Sequence, residues 1–461
     1  MAQSVLEDIL LLVFDQISGP ALLDWPRAFY SHERAQAPFV LAGVCQRWRL
    51  LARSTPALWS YFGFPSEYYL HERHVARLQI LVSLVNQAPI DVVLAIDLWS
   101  GYERKRARMH PETCKIVDVI ISLATQWRSA DFDLRDNNVR LFYDLIEELP
   151  QLQQLSLTCA NGGQDLGNAH NMKRLHYNCY RVRFNCSLPH FPSVTSFYCG
   201  TSQDVTTKAL CISFSENLVE LAIACDAWDE PPMSIMFSRL CTLILYDSRF
   251  LAHIKAPNLH TLALQGSSVI KGLKSYASGH ASVQHLILYG TVGEQVVYNL
   301  EHLRFISRLS FSVPGAIRGI FDQSAGSYEI MPAFFTELLV AQPPVWPALE
   351  HLDFAPLNYA YPFQRPFPFQ RLSAFIESRN MDHGACGNGA EETARSSVIK
   401  TVILPEEEKV PVDGSVEEES SPFSMSSHHS MLGARRTGVR ARFLCPLLNF
   451  LSGCGLTKKT G

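Results

Sequence analysis

The stretch LQQLSL at 152–157 decides the fold, because its spacing of apolar residues returns eight more times along the chain. The pattern is L-x-x-L-x-L, and the later copies begin at residues 172, 194, 218, 240, 259, 283, 306 and 349. Successive starts lie 20, 22, 24, 22, 19, 24 and 23 residues apart, followed by a gap of 43 that is close to two periods. The fourth and sixth positions of every copy are apolar, which predicts a short strand with alternate side chains turned into a core.

A unit of this length with one strand is typical of leucine-rich repeats. The Asn or Cys usual at the ninth position is missing, and the first five copies carry Ala160, Tyr180, Ser202, Asp226 and Ser248 there. That side chain normally satisfies backbone groups in the turn after the strand. We therefore expect irregular turns and variable connecting segments, not an even horseshoe.

Further strands and helices are predicted on both sides of the clear repeats. Upstream, the patterns indicate a helix over 66–86, a strand IDVVLAI at 90–96, a helix over 114–127 and a strand DFDL at 131–134, so that the array starts near residue 88. Downstream, IKTVIL at 399–404 reads as a last strand. The expected fold class is α/β: a short N-terminal helical module, then an irregular leucine-rich-repeat solenoid of parallel strands and helices.

Composition excludes several function classes. The 461 residues include 40 basic and 44 acidic side chains, so the net charge of −4 gives no footprint for nucleic acid or an anionic membrane. The first residues, MAQSVLEDILLLVFDQI, carry Glu7 and Asp8 and read as an amphipathic helix, not as a signal peptide. No apolar run reaches the roughly 18 residues of a membrane span. We expect a soluble cytoplasmic or nuclear protein with no nucleic-acid or membrane partner.

Chemistry-bearing motifs are not found in the sequence. The twelve cysteines occur singly, without a CxxC pair or a Cys/His cluster at zinc spacing, which predicts reduced, buried thiols and no metal. There is no P-loop, no GxGxxG after a strand, no GxSxG and no HExxH. The expectation is a protein without catalytic residues and without a cofactor.

The N-terminal segment predicts a small helical module. Apolar residues recur with a period of 3.6 over 4–17, which indicates a helix with one buried face. A loop insertion is predicted near 18–38, and a second helical stretch follows. In that stretch, Val40, Val44, Trp48 and Leu51 are predicted to share one face.

Two pieces of this segment resemble the F-box of fungal, basidiomycete-type proteins. VLEDILLLVF at 5–14 is similar to Leu-Pro-x-Glu-Ile-Leu-x-x-Ile-Phe, with Val5-Leu6 in place of Leu-Pro and Asp8 in place of Glu. VCQRWRLLARSTPALWS at 44–60 matches the family's Val-Cys-x-x-Trp-Arg-x-x-Ala-x-Ser-Thr-Pro-x-Leu-Trp-Ser almost position for position. Degenerate repeats behind an F-box are also a feature of that family.

The resemblance implies a non-catalytic substrate receptor of a cullin–RING ubiquitin ligase of the SCF type. Its F-box would dock a Skp-type adaptor, and its repeats would hold a protein substrate. Some apolar residues of the module must form its internal core. The resemblance implies adaptor contacts at Ile9, Leu10, Phe14, Leu41, Val44, Cys45, Trp48 and Leu51.

The repeats themselves suggest a second surface. Residues between the apolar positions of each copy are expected on the solvent face of the sheet. Side chains of Tyr, His and Arg are typical of protein-binding faces, although exposed strand positions also carry mixed polar residues without any such role. The candidate substrate face consists of Arg174, His176, Tyr198, Tyr246, His260, His285, Tyr289, Arg308 and His351.

The predicted organisation has three parts: an F-box-like module over 1–64, a repeat array over 65–404 and a disordered tail over 405–461. The tail prediction follows from its acidic, serine-rich and basic stretches, which carry too little apolar surface to fold. An alternative function stays open. The chain would then be a leucine-rich-repeat interaction scaffold whose F-box-like helices merely cap the array.

Overall fold

The computed structural model describes most of the chain between residues 8 and 403. The described ranges are 8–14, 16, 31–64, 72–96, 111–134, 149–159, 169–179, 191–200, 205–224, 234–266, 282–301, 303–312, 329–341, 345–354, 369–381 and 398–403. The predicted tail over 405–461 lies outside the described residues, as do four of the five ninth-position residues.

The described residues form a mixed α/β structure with one sheet of thirteen parallel strands, compatible with a solenoid-like fold. All nine L-x-x-L-x-L copies form a strand of this sheet, as predicted, and the strands lie side by side in chain order. The thirteen strands are β1 (Tyr61–Phe64), β2 (Ile90–Ile96), β3 (Trp127–Leu134), β4 (Gln154–Cys159), β5 (Arg174–Cys179), β6 (Ser196–Cys199), β7 (Glu220–Ile223), β9 (Thr242–Leu245), β11 (Thr261–Gln265), β12 (His285–Tyr289), β14 (Arg308–Phe311), β16 (His351–Asp353) and β17 (Thr401–Ile403).

Four shorter strands pair outside the main sheet. They form two parallel pairs, β8 (Ile235–Met236) with β10 (Ile254–Lys255) and β13 (Thr291–Val292) with β15 (Glu329–Ile330). The 43-residue gap between the last two copies places no strand between β14 and β16, because these two strands pair directly.

Register explains why the repeat is so regular in sequence. Each strand aligns with its neighbours so that the two apolar positions of the repeat form two continuous rows on one face, with a single irregularity between β2 and β3. Each buried Leu, Ile or Phe in such a row contributes about 1.5–3 kcal/mol. The first row is Phe62, Val92, Ala130, Leu155, Leu175, Phe197, Leu221, Leu243, Leu262, Leu286, Leu309, Leu352 and Val402.

The opposite face, called here the polar face, carries the residues between those rows. Its first row is Tyr61, Asp91, Ser129, Gln154, Arg174, Ser196, Glu220, Thr242, Thr261, His285, Arg308, His351 and Thr401. Its second row includes Asp131, Ser156, His176, Tyr198, Ile287, Ser310 and Asp353.

Helices precede the sheet and connect some of its strands. The α-helices are α1 (the helical residues at 8–14), α2 (His32–Val44), α3 (Gln46–Arg53), α4 (Glu72–Val85), α5 (Pro111–Ser122), α6 (Val205–Phe214), α7 (Glu294–Leu300), α8 (Pro332–Val340) and α9 (Phe369–Met381). Short 3₁₀ helices lie at Pro56–Trp59, Ala124–Gln126 and Ser248–His253. The connections between repeats therefore vary, as expected.

A hydrogen-bonded turn before several strands was not anticipated from the sequence. The backbone N–H at the first apolar position donates to the carbonyl three residues earlier, for example from Leu152 to Leu149 at 3.2 Å. In three repeats an asparagine in this turn also donates to a carbonyl of the preceding turn. These bonds are Asn171 Nδ2 to Pro150 O, Asn217 Nδ2 to Pro192 O and Asn258 Nδ2 to Ser238 O, at 2.6, 2.9 and 2.7 Å. Side-chain amides before the strand thus link neighbouring repeats.

Several predicted boundaries need correction. The predicted helix over 114–127 ends at Ser122, and Trp127 begins β3. The helix predicted over 66–86 is described as Glu72–Val85, and β1 was not predicted at all. Since β1 pairs with β2, the sheet begins before residue 65. The proposed division at residue 64 stays a prediction.

The predicted loop insertion near 18–38 is wrong for its last seven residues, which are the first seven of α2. Ser31 starts this helix, because its side chain accepts a hydrogen bond from the backbone N–H of Arg34 at 3.1 Å. Pro38 lies inside the helix and is buried, so packing of its ring offsets the lost backbone donor.

Candidate functional site

The first candidate site is the N-terminal helical module, formed by α1, α2, α3 and the 3₁₀ helix at Pro56–Trp59. Cys45 separates α2 from α3 with an extended backbone (φ −159°, ψ 172°). Its thiol accepts from the backbone N–H of Trp48 at 3.5 Å and so caps the start of α3. The break turns α3 away from the line of α2, so that residues of the two helices no longer share one face.

Five of the eight predicted adaptor contacts pack wholly or partly inside the protein. Leu10, Phe14 and Leu41 are buried, and Phe14 and Leu41 belong to the main hydrophobic core. Trp48 is half-buried, with its ring edge-on to Phe14 at 6.0 Å between centroids. Leu51 is also half-buried against the core. These side chains hold the module together, as was expected for some members of the set.

The C-terminal end of the F-box-like motif is structural as well. The indole Nε1 of Trp59 donates to the carbonyl of Ala52 at 2.7 Å, which ties the 3₁₀ helix to α3. Phe39 of α2 meets the same indole edge-on at 5.4 Å. Leu58 and Trp59 are buried and join the core that continues into the sheet through Phe62.

The remaining predicted adaptor contacts are exposed, and they have exposed apolar neighbours that the sequence pattern did not single out. Val44 is 57% exposed, and Leu12 and Leu50 are exposed by 67% and 62%. Exposed apolar residues scattered singly are normal, but here several lie on three neighbouring helices, which makes them a candidate binding surface. We call this set the module surface: Ile9, Leu11, Leu12, Val40, Val44, Cys45 and Leu50.

A buried ion-pair network joins the module to the sheet. Asp91 on β2 is 2% exposed, and its carboxylate accepts from Arg34 Nη2 of α2 at 2.7 Å. Arg128 donates to the same carboxylate from Nε at 3.0 Å and from Nη2 at 2.7 Å. The hydroxyl of Ser129 adds a fourth bond at 2.7 Å.

The electrostatics of this network favour the charged carboxylate. Burial by itself raises the pKa of Asp91, but the hydrogen bonds and charges of Arg128 and Arg34 outweigh burial and hold the pKa below its usual value. The same hydrogen bond and charge raise the pKa of Arg128. Asp91 is therefore ionised and fully paired at neutral pH.

Further contacts place α2 against the start of the sheet. The guanidinium of Arg34 lies 4.5 Å from the centre of the Tyr61 ring, and the Tyr61 hydroxyl accepts from the N–H of Ser31 at 3.0 Å. Ala35 packs with Tyr61 and Val93 in a small buried cluster. From α4, Arg77 Nη2 donates to the carbonyl of Ala35 at 2.9 Å. The helix α2 thus covers the polar face at β1 and β2.

The second candidate site is the predicted substrate face, and its members divide into two groups. Arg308 and His260 are exposed, while Arg174, Tyr246, His285 and His351 are half-buried. The expectation of a solvent-facing position is wrong for the other three. His176, Tyr198 and Tyr289 are buried at 0%, 2% and 1% exposure.

The alternation of side chains along a strand does not determine whether a side chain is buried. A period of two assigns a side chain to one face of a sheet but does not say whether that face is covered. The ring Nδ1 of His176 lies 2.9 Å from the Ser156 hydroxyl, and both groups are fully buried. Tyr289 donates its hydroxyl to the carbonyl of Leu245 at 2.6 Å, and burial raises the pKa of Tyr289 well above its usual value.

Three members of the accessible group, His285, Arg308 and His351, lie side by side on β12, β14 and β16 and form a polar patch. His285 Nε2 lies 2.8 Å from the Ser310 hydroxyl, and Arg308 forms an ion pair with Asp353 at 2.8 Å. Burial lowers the pKa of His285 to about 4, with smaller contributions from the charges of Arg308 and His260. The His285 ring is therefore neutral at physiological pH and can donate or accept a hydrogen bond.

Neither candidate site presents a metal centre in the part of the chain that the structure describes. No group of three or more His, Cys, Asp or Glu side chains there could hold a metal ion. Within the same residues, no helix has the length and apolarity to cross a membrane. Comparison of the chain with models of protein families and with curated protein sequences gave no match.

Proposed function

We propose that the chain is a substrate receptor of an SCF-type cullin–RING ubiquitin ligase, with an F-box that docks a Skp-type adaptor through the module surface. One observation carries the proposal. The F-box-like motif at 44–60 separates into buried residues that build the module and exposed apolar residues that are available to a partner. Burying such side chains on association would contribute about 1.5–3 kcal/mol each.

The sheet would supply the other half of the function, as a leucine-rich-repeat array that binds a protein substrate. Among the predicted residues, Tyr246, His260, His285, Arg308 and His351 are at least partly accessible. Such a receptor makes no covalent bond itself. It raises the effective concentration of substrate lysines near the ubiquitin carrier and orients them.

Adaptor binding by purified protein tests the proposal. Val44→Asp combined with Leu50→Asp places two carboxylates on the module surface without emptying the core, because both side chains are more than half exposed. We expect the double variant to fold like the parent. Its affinity for a Skp-type adaptor should fall by at least about 100-fold, since burial of each of these apolar side chains at the interface is worth about tenfold or more.

A matched control separates the site from a general effect of added charge. Ile80→Asp on α4 changes an apolar residue of similar exposure, 45%, outside the module surface and should leave adaptor affinity unchanged. Trp48→Asp is a poor probe, because Trp48 is half-buried against Phe14 and its replacement would disturb the module itself. Equal affinity of the parent and the double variant would contradict the proposal.

The scaffold function is the second candidate, and the shared core together with the Asp91 network favours it. Arg34 on α2 pairs with Asp91 of the sheet, and Ala52 on α3 belongs to the same hydrophobic core as the strands. Deleting residues 1–62 would remove half of β1 and expose core residues, so it would unfold the array under either function. The discriminating result is a folded, full-length chain that binds no Skp-type adaptor, which would favour the scaffold.

A further inference from the structure

Charge is distributed very unevenly over the module, because α1 carries exposed Asp8 and the first turn of α2 carries exposed Glu33, whereas the stretch that follows is basic. Residues 34–66 contain four arginines and no aspartate or glutamate, although the whole chain carries a net charge of −4. One of the four, Arg34, is neutralised by Asp91. The other three, Arg47, Arg49 and Arg53, all lie on α3.

Two of these arginines share a helix face with an exposed leucine. Gln46, Arg49, Leu50 and Arg53 follow one another at i, i+3, i+4 and i+7, and all four are exposed. The opposite side of α3 carries buried Ala52 and half-buried Trp48 and Leu51. The solvent-facing side of α3 is therefore an apolar centre flanked by two guanidinium groups.

A hydrogen bond from its side chain holds the Arg49 guanidinium at the junction of α2 and α3. Arg49 Nε donates to the carbonyl of Ala42 at 3.0 Å, close in sequence to Val44. This bond leaves the two terminal nitrogens of Arg49 for other partners. Arg53 is the last residue of α3, so the guanidinium groups of Arg49 and Arg53 lie on either side of the exposed Leu50.

We infer that the partner of the module surface presents acidic side chains around the apolar contact, and that Arg49 and Arg53 steer its association; this rests on the proposed function. Opposite charges at the rim of an interface mainly raise the association rate and make binding sensitive to salt. The apolar residues Val44 and Leu50 then contribute the affinity that salt does not screen.

The salt dependence of binding to a purified Skp-type adaptor tests the inference with full-length chain. The association rate of the parent should fall several-fold between about 50 mM and about 500 mM NaCl. Arg53→Glu should lower the rate at low salt by about threefold to tenfold and flatten the salt dependence. Arg239→Glu, at an exposed turn of the array, is the control and should change neither quantity.

A second pair of variants separates charge from geometry at the other arginine. Arg49→Lys keeps the charge but loses the Nε bond to Ala42, whereas Arg49→Gln loses both the charge and the bond. We expect the association rate of Arg49→Lys to depend on salt as that of the parent does, and the association rate of Arg49→Gln to depend on salt less strongly. Binding of the parent that is insensitive to salt, with Arg53→Glu equal to the parent, would overturn the inference and leave the proposed function standing. No adaptor binding at any salt concentration would overturn both.

Discussion

The two ends of the polar face use the same residue types in opposite settings. Near the N-terminal end, Asp91 accepts hydrogen bonds from arginine and His176 lies against a serine, and both side chains are buried. Near the C-terminal end, Asp353 pairs with Arg308 and His285 lies against buried Ser310, while Asp353, Arg308 and His285 themselves remain partly accessible. The bond lengths differ by only 0.1 Å, between 2.7 and 2.8 Å for the ion pairs and between 2.9 and 2.8 Å for the histidines.

This difference shows that burial, not residue type, separates structural polar groups from groups available to a partner. A buried carboxylate must keep its guanidinium partners, because an unpaired charge in the interior is strongly unfavourable. In the Arg308–Asp353 pair the arginine side chain is 48% accessible, so solvent screens the interaction and the pair contributes less. Asp91 and His176 are therefore fixed by hydrogen bonds within the protein, whereas Asp353, Arg308 and His285 remain available to a partner.

The largest expected contrast is between the two carboxylates. Asp91→Asn should lower the free energy of unfolding by about 3–5 kcal/mol, because it leaves two guanidinium groups without their counter-charge. Asp353→Asn should lower it by less than about 1 kcal/mol. Urea denaturation followed by circular dichroism measures both. Similar decreases in the two variants would contradict the assignment of different roles.

The pH dependence of the Asp91 contribution has a defined sign. The pKa of Asp91 lies below its unfolded value of about 3.9, so its stabilisation is fully present above that pH. This stabilisation is lost as the pH falls through the pKa that Asp91 has in the folded protein. Asp91→Asn should accordingly converge with the parent in strongly acidic solution, while their difference stays constant near neutrality.

The histidines give the second contrast. His176→Ala should destabilise the protein by about 2–4 kcal/mol, because it opens a cavity and leaves the buried Ser156 hydroxyl without its imidazole partner. His285→Ala should cost about 0.5–1.5 kcal/mol, since the half-buried site admits solvent. Histidine modification by diethyl pyrocarbonate adds an independent readout. Exposed His260 should react in the folded protein and His176 should not; rapid reaction of His176 would contradict its burial.

Much of the sheet could be predicted because its signal is local and repeated. The in-register rows require apolar residues at fixed positions, and nine copies displayed them. The strand β1, with sequence YFGF, was missed because the first apolar position of its repeat, Trp59, lies inside the F-box-like motif and was assigned to the helical module. The turn asparagines were missed because their bonds join repeats, and sequence spacing does not reveal which carbonyl lies opposite.

The site was harder to predict because accessibility depends on neighbours distant in sequence. Val40 and Val44 were expected to share a face with Trp48 and Leu51, as in one continuous helix. The break at Cys45 separates them, leaving the two valines exposed and the other two half-buried. Likewise, the pairing of Arg34 with Asp91, 57 positions away, has no local signature. Patterns within one element thus locate candidate residues, while the division into core and surface requires the packing of several elements.

The smallest expected effect concerns the protonation of His285. Its pKa of about 4 is below the unfolded value of about 6.5, chiefly through burial, with Arg308 and His260 lowering it further and Asp353 opposing them. As the pH falls, His285 is protonated in the unfolded chain before it is protonated in the folded protein. The parent should therefore lose stability relative to His285→Gln as the pH falls from about 6.5 to about 4. The relative decrease should be about 1 kcal/mol after allowance for solvent screening, and no change is expected above pH 7. Urea midpoints for both proteins across this range measure the difference, in which the other histidines cancel. Parallel curves would show that His285 is as open to solvent in the folded protein as in the unfolded one.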